Sequence, residues 1–211
     1  RDVLGSRGLG DVYKRQELAP APCLISERAA AKETLQKVPT PGKEKCEDVV
    51  ELLGRELTSS MKSVVLAADR VNEKGEAIEP QIVMIMLRAD HDLNEVKAGK
   101  LPELKEGFRF ATDAEIIKAF GCKPGYLGPV GISKDIVVYA DQTAANMSDF
   151  ICGANEEGFH ITGVNWDRDL PLPKVADLRN VVEGDASPDG KGVLKPVSYT
   201  HLRAHETLRH L

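Results

Sequence analysis

Six apolar residues follow one another without a polar break in Ile82-Val83-Met84-Ile85-Met86-Leu87. A strand with one wet face alternates apolar and polar positions, so an unbroken run predicts a strand covered on both faces, central in a sheet. Such a strand needs partners on either side and layers above and below. Met61 to Ala68 predicts one partner, followed by the turn Asn72-Glu73-Lys74-Gly75. Ile136 to Tyr139 and His160 to Trp166 read as further strands.

Helical spacing supplies the covers. Lys43 to Leu57 places Cys46, Val49, Val50, Leu53 and Leu57 on one face, with Thr40-Pro41 as a start signal. Asp92 to Ala98 and Asp113 to Phe120 read as helices, the second capped by Thr112 and stopped by Gly121. A short helical patch is predicted over Ser26 to Lys37, before the breaker VPTPG. Strands and helices alternate irregularly, which predicts an α/β or α+β domain: a mixed β-sheet flanked by helices from about residue 38 to about 180. Apolar residues make up 42% of the chain, enough for one core of that size.

Several classes are disfavoured. A net charge of −5 does not suit a domain that grips nucleic acid across a broad basic face, although one end of such a ligand can still be touched. No apolar run approaches the roughly 18 residues of a membrane span, and the N-terminus lacks a signal-peptide core. Cys23, Cys46, Cys122 and Cys152 form no C-x-x-C pair and read as reduced thiols of a cytoplasmic protein.

The two ends have another character. RDVLGSRGLGDVYKRQ (1–16) has glycines at 5, 8 and 10, but no strand precedes them and the last is misplaced for a phosphate-binding fingerprint. In the final stretch, 196–211, His201 and His205 stand four apart with His210 beyond. His205-Glu206 begins like a zincin signature, yet position 209 is Arg and no third ligand is supplied, so no metal site is expected. Both ends resemble translated sequencing-adapter tails, are expected to be disordered, and are set aside from functional reasoning.

The stretch Gly121-Cys122-Lys123-Pro124-Gly125-Tyr126-Leu127-Gly128-Pro129-Val130-Gly131 combines four glycines and two prolines with apolar Tyr126, Leu127 and Val130. It reads either as a surface connector or as a backbone cradle. Glycines let amides approach a ligand closely and prolines restrict movement.

Four stretches, MKSVVLAA (61–68), RADHDLNEVKAGKL (88–101), GYLGPVG (125–131) and NWDRDLPLPKVADLRNVVEGDASPDGKG (165–192), together resemble bacterial-type prolyl-tRNA synthetases. The resemblance is to the inserted editing domain, of the YbaK-type aminoacyl-tRNA deacylase superfamily. It implies a linker from the synthetase catalytic domain at 17–37, the editing domain at 38–180 and re-entry to the catalytic domain at 181–195. It also implies hydrolysis of alanine wrongly esterified to tRNA(Pro), because a pocket built for proline cannot shut alanine out. The implied partners are the aminoacylated 3′ end of tRNA(Pro) and the rest of the synthetase, a homodimer. ATP and Mg belong to the synthetase active site, whose motifs are not found here; editing needs no cofactor.

By the same resemblance, Lys62 is the editing lysine, aimed into the substrate pocket where its charge holds the tRNA's terminal phosphate or ribose, whereas its spacing alone reads as a side chain snorkelling to solvent. Gly125-x-x-x-Pro129, with Tyr126, Leu127 and Gly128 between, is the substrate loop, able to polarise an ester carbonyl with main-chain amides. Asp141 and His160 also match functional positions. Asp141 reads equally as a helix cap for Gln142-Thr143, and His160 as a strand-edge histidine. Ser148 and Cys152 lie in no nucleophile elbow. Asn165 to Arg168 reads as a structural turn, and Arg88 to Lys97 as the charged cap of a surface helix.

Overall fold

The long apolar run does form the central strand. In the computed structural model, which describes residues 20–21 and 27–185, a hairpin of β2 (Met61–Val71) and β3 (Ala77–Arg88) is the spine of a five-stranded sheet. Its order is β4-β2-β3-β5-β8, with β4 at Arg109–Phe110, β5 at Val137–Asp141 and β8 at Lys174–Ala176. The pairs β4–β2 and β2–β3 are antiparallel, while β3–β5 and β5–β8 are parallel, so the sheet is mixed. A second sheet, β1-β7-β6, is antiparallel throughout and is built from Gln36–Pro39, Phe159–Val164 and Phe150–Gly153. A parallel bridge between Ser60 and Ile151 links the two sheets at the start of β2.

Alternation along β3 sorts the core. Met84 and Met86 join Met61, Val65, Tyr126, Leu127, Phe150, Ile161 and Trp166 in one cluster. Val83, Ile85 and Leu87 turn to the other face and pack with Leu66, Ala98, Leu104, Tyr139 and Leu178. Every residue from Val83 to Leu87 has 0% exposure, which is why the run tolerates no polar member.

Two helices are shorter than their periodicity predicts, each for a local reason. The first, α1, covers Cys46–Leu53 and stops at Gly54, whose φ of 63° lets the chain turn back; Leu57 lies instead in a 3₁₀ turn. Thr40 does not cap it: Lys45 occupies the N-cap, and Thr40 is buried elsewhere. The second, α2, is Glu95–Ala98, because the Asn94 side chain accepts from the Lys97 N–H and starts the helix there. The third, α3, is Asp113–Phe120, with a Thr112–Glu115 capping box and Gly121 in the left-handed region, as its sequence signals predict. The fourth, α4, is Gln142–Ala145.

Two expectations fail. Within Ser26 to Lys37 the described residues are non-helical, and Gln36–Pro39 is β1, paired with β7. β-Pairing at this edge overrides a weak helical preference, and β1 takes in Gln36 and Lys37 from the end of the segment expected as a linker. Second, Lys97 does not face solvent. It is 6% exposed, and its ammonium donates to Asp177 Oδ1 at 2.8 Å and to the Arg179 carbonyl at 2.9 Å. The 1–16 and 196–211 segments, with His201, His205 and His210, lie outside the described residues.

Because a buried ammonium is paired here across 80 residues of sequence, Lys97→Ala strands a carboxylate and a carbonyl. The expected loss is about 3 kcal/mol of unfolding free energy, the low end for breaking a buried pair because Asp177 keeps some water. Denaturant unfolding of the variant beside wild type measures it.

Candidate functional site

The Gly125–Val130 stretch is a rigid bend, not a connector. Tyr126 and Leu127 are buried in the cluster between the two sheets, so their burial holds the bend's main chain against β6. The approach is so close that no side chain fits between. A Cβ at Gly128 would stand 2.0 Å from the Gly153 carbonyl oxygen, and a Cβ at Gly153 would stand 2.1 Å from the Tyr126 carbonyl. Gly125 has φ 101°, and a Cβ there would meet the Glu44 side chain at 2.7 Å.

Hydrogen bonds fix the bend from three sides. The Leu127 carbonyl accepts from Ser63 Oγ at 3.0 Å and from the Gly153 N–H at 3.2 Å. The Tyr126 carbonyl accepts from the Asn155 N–H at 2.8 Å, and the Gly128 N–H donates to Asn155 Oδ1 at 2.9 Å. The amide of Gly128 is therefore engaged in holding the bend itself.

His160, on β7, sits directly behind it. Its ring packs against Tyr126 with centroids 5.6 Å apart, and Nδ1 lies 2.6 Å from the Thr40 hydroxyl. Burial lowers the His160 pKa below 6.5, and a hydrogen bond to the Gly125 backbone opposes that shift. The ring thus stands between the Thr40 hydroxyl on one side and the Gly125 backbone on the other. A neutral imidazole so placed ties β1, β7 and the bend together.

Lys62 and Asp141 are not brought to this bend. Ser63 reaches the Leu127 carbonyl from one face of β2, the face shared by Met61 and Val65. Lys62 leaves from the other, the side of Val64 and Leu66. Its ammonium is bonded to Asp92 Oδ1 at 2.9 Å, at the rim where β2 begins and β3 ends. Asp141, at the end of β5, is 1% exposed and caps α4, accepting from the Thr143 N–H at 2.9 Å and the Leu178 N–H at 3.0 Å. Of the two readings open in the sequence, the helix cap is the one seen.

The same rim holds a charged cluster. Arg179 forks onto Asp185 through two 2.7 Å bonds and lies 4.0 Å from Asp141, while Arg88 pairs with Asp90 at 2.6 Å. His91, 2% exposed, takes a bond from Arg88 at 3.0 Å; burial, then Arg179 and Arg88, lower its pKa below 6.5. Cys152, beneath the bend, is fully buried and its thiol is pushed up to about 12 by burial, which removes it as a nucleophile. Asn165 to Arg168 is a structural turn: Trp166 Nε1 donates to the Ala144 carbonyl, and Arg168 pairs with Asp169 at 2.7 Å.

Asn155, Ser63, Gly153 and Thr40 were not legible as site residues. A signal did exist for two of them. Ser63 is a polar residue on the inner face of an otherwise apolar strand, and Asn155 opens the turn Asn-Glu-Glu-Gly before β7. An open groove toward the far end of the β2–β3 hairpin, lined by Arg70, Glu79, Gln81, Lys118 and Asp135, holds none of these residues.

Over residues 40–170, which include the whole bend and its supports, the chain matches the aminoacyl-tRNA editing domain family. It belongs to that family. It is 60% identical over 179 residues to the proline–tRNA ligase of Leptothrix cholodnii, a match taking in 84% of this chain and 31% of that protein. The proline–tRNA ligase of Azoarcus sp. matches to the same extent. The chain thus spans less than a third of the length of these curated relatives. Among solved structures, a candidate trans-editing enzyme for prolyl tRNA synthetase superposes with a TM-score of 0.54 at 22% identity, covering 70% of this chain and 87% of that one. The hypothetical protein APE2540 gives 0.53 at 18% identity, covering 70% and 92%, so the fold is shared.

The two buried histidines set a pH dependence. Each binds its proton more weakly folded than unfolded, so the unfolded chain is protonated first as pH falls through 6.5. Stability present above that value is lost progressively below it. Urea unfolding is expected to give a lower midpoint at about pH 5.5 than at about pH 7.5, with a smaller difference in His160→Gln.

Proposed function

We propose that this domain hydrolyses the ester joining alanine to tRNA(Pro), as the proofreading unit of a proline–tRNA ligase. The observation that carries the reading is the rigid Gly125–Val130 bend lying inside the region matched to the editing family. Alanine lacks methylenes that proline has, and missing methylenes give only about 1–3 kcal/mol of discrimination in the pocket that selects proline, so a second, hydrolytic site is useful. That second site must reject the larger proline. A wall of main chain that cannot yield is suited to this.

In this reading a water attacks the ester, with a ribose hydroxyl of the tRNA end assisting. The bend and His160 shape the hollow. His160 is neutral and occupied by Thr40 and Gly125, so its part is placement and not proton transfer. Lys62 acts from the rim: its ammonium leaves Asp92 for a phosphate of the tRNA end, a point-charge role that suits lysine. Asp141 supports that rim from beneath.

The rest of the synthetase is the implied partner, and the parent is a homodimer in the cytoplasm. One contact supports an inserted domain: the Ala21 N–H donates to Asp177 Oδ2 at 3.0 Å, so incoming and outgoing segments lie side by side. No helix among the described residues is long and apolar enough to cross a membrane.

Deacylation of alanyl-tRNA(Pro) beside prolyl-tRNA(Pro) tests the function. The alanyl ester is expected to be hydrolysed selectively. Lys62→Ala is expected to lower kcat/KM about tenfold or more at low salt, with the gap narrowing as salt rises. An absence of hydrolysis even within the full-length ligase would leave a structural or tRNA-binding insertion; equal kcat/KM at low salt would remove the role given to Lys62.

A further inference from the structure

Asn155 has φ 53°, in the left-handed region, and from there its N–H and both ends of its side-chain amide reach the bend. Its N–H donates to the Tyr126 carbonyl at 2.8 Å. Its Oδ1 accepts from the Gly128 N–H at 2.9 Å, and its Nδ2 donates to the carbonyls of Gly128 and Val130, each at 2.9 Å. Both side-chain amide hydrogens and the amide oxygen are used, so the side-chain amide is engaged entirely by one short stretch of main chain. The left-handed backbone is what makes this possible, and asparagine is among the few residues that adopt it at low cost.

The clamp is placed where the bend lacks other restraint. Gly128 carries no side chain, and the positions beside it are held through Gly153 and Ser63 on one side. Asn155 alone, among the described contacts, bonds both the N–H and the carbonyl of Gly128 and reaches on to Val130. Without it, the segment 128–130 keeps its glycine freedom and loses three bonds of its own main chain.

We infer that Asn155 is a positioning residue that fixes the bend as a wall and thereby sets the size limit for the aminoacyl group, an inference resting on the functional reading above. It touches the substrate nowhere and acts through the main chain of 126–130. The chemistry it selects for is a small aminoacyl ester, and a loosened wall admits a larger one.

Two substitutions separate positioning from bulk stability. Asn155→Gly removes the side chain and keeps the left-handed backbone unstrained, whereas Asn155→Asp keeps an oxygen for the Gly128 N–H and loses both donors. In the full chain, Asn155→Gly is expected to lower hydrolysis of alanyl-tRNA(Pro) about tenfold or more, since small misplacements of a positioning element are costly. The ratio of prolyl- to alanyl-ester hydrolysis is expected to rise about threefold or more, with Asn155→Asp between it and wild type. Hydrogen exchange at the Gly128 amide is expected to quicken in Asn155→Gly while exchange in β3 is unchanged. A purely structural role would lower the melting temperature and leave the ratio as it was. An active wild type with an unchanged ratio in both variants, or unchanged Gly128 exchange, overturns the inference alone. A wild type that hydrolyses neither ester overturns the functional reading and the size limit with it. If Asn155→Gly does not fold, the ratio measured for Asn155→Asp decides.

Discussion

Two lengths of main chain lie against each other at Gly128 and Gly153 with no side chain between them, and the candidate site depends on that contact. Any Cβ at either position would meet carbonyl atoms at 2.0–2.1 Å, well inside van der Waals distance. Glycine is required here for space, and φ is not the reason at either position. The contact in turn needs β6 and the bend to be held at a fixed separation. The apolar cluster does this by burying Tyr126, Leu127 and Cys152 together, and the Ser60–Ile151 bridge keeps β6 beside the start of β2. Packing between the sheets therefore reaches the site directly, through the backbone.

The sequence carried the sheet better than it carried the site. Val83 to Leu87 announced a strand buried on both faces because each residue individually must be apolar there, a property visible one position at a time. The Thr112, Glu115 and Gly121 signals bounded α3 because caps are local chemistry. Helix lengths at α1 and α2 were overestimated because periodicity persists past Gly54 and before Asn94, while the backbone conformation does not. Lys97 reads as a surface cation in every local window; only its partner 80 residues away makes it a buried one.

The site residues divide along the same line. Gly125, Tyr126, Leu127, Gly128 and Pro129 form a contiguous stretch, and the mixture of glycine with apolar residues marked it. His160 and Asp141 were marked by resemblance, and the structure gives each specific neighbours: Thr40 and Gly125 for the histidine, α4 and Leu178 for the aspartate. The parity of a strand decided Lys62. One residue's step along β2 separates Ser63, which touches the bend, from Lys62, which does not. That step cannot be assigned from sequence when both faces are buried, because both faces then look alike.

What the proposed function asks of an acidic domain that meets the end of a polyanion is set by the rim's ion pairs. Each described cation there already has a carboxylate: Lys62 has Asp92, Arg88 has Asp90, Lys97 has Asp177 and Arg179 has Asp185. Such a rim has no free positive field to attract RNA at long range, in keeping with a net charge of −5. The pairs differ in what it costs to open them. Lys97 and Arg179 are about 5% exposed, and separating either from its partner leaves a buried charge, which costs several kcal/mol. Asp92 is 82% exposed and is rehydrated at once when released, so its pair with Lys62 is worth about 0–1 kcal/mol. Of these four, the pair a phosphate can displace most cheaply is that of Lys62, at the edge of the rim. Under the proposed function, then, the rim engages a tRNA end only after its delivery, and that proposal assigns capture to other surfaces and selection by size to this domain.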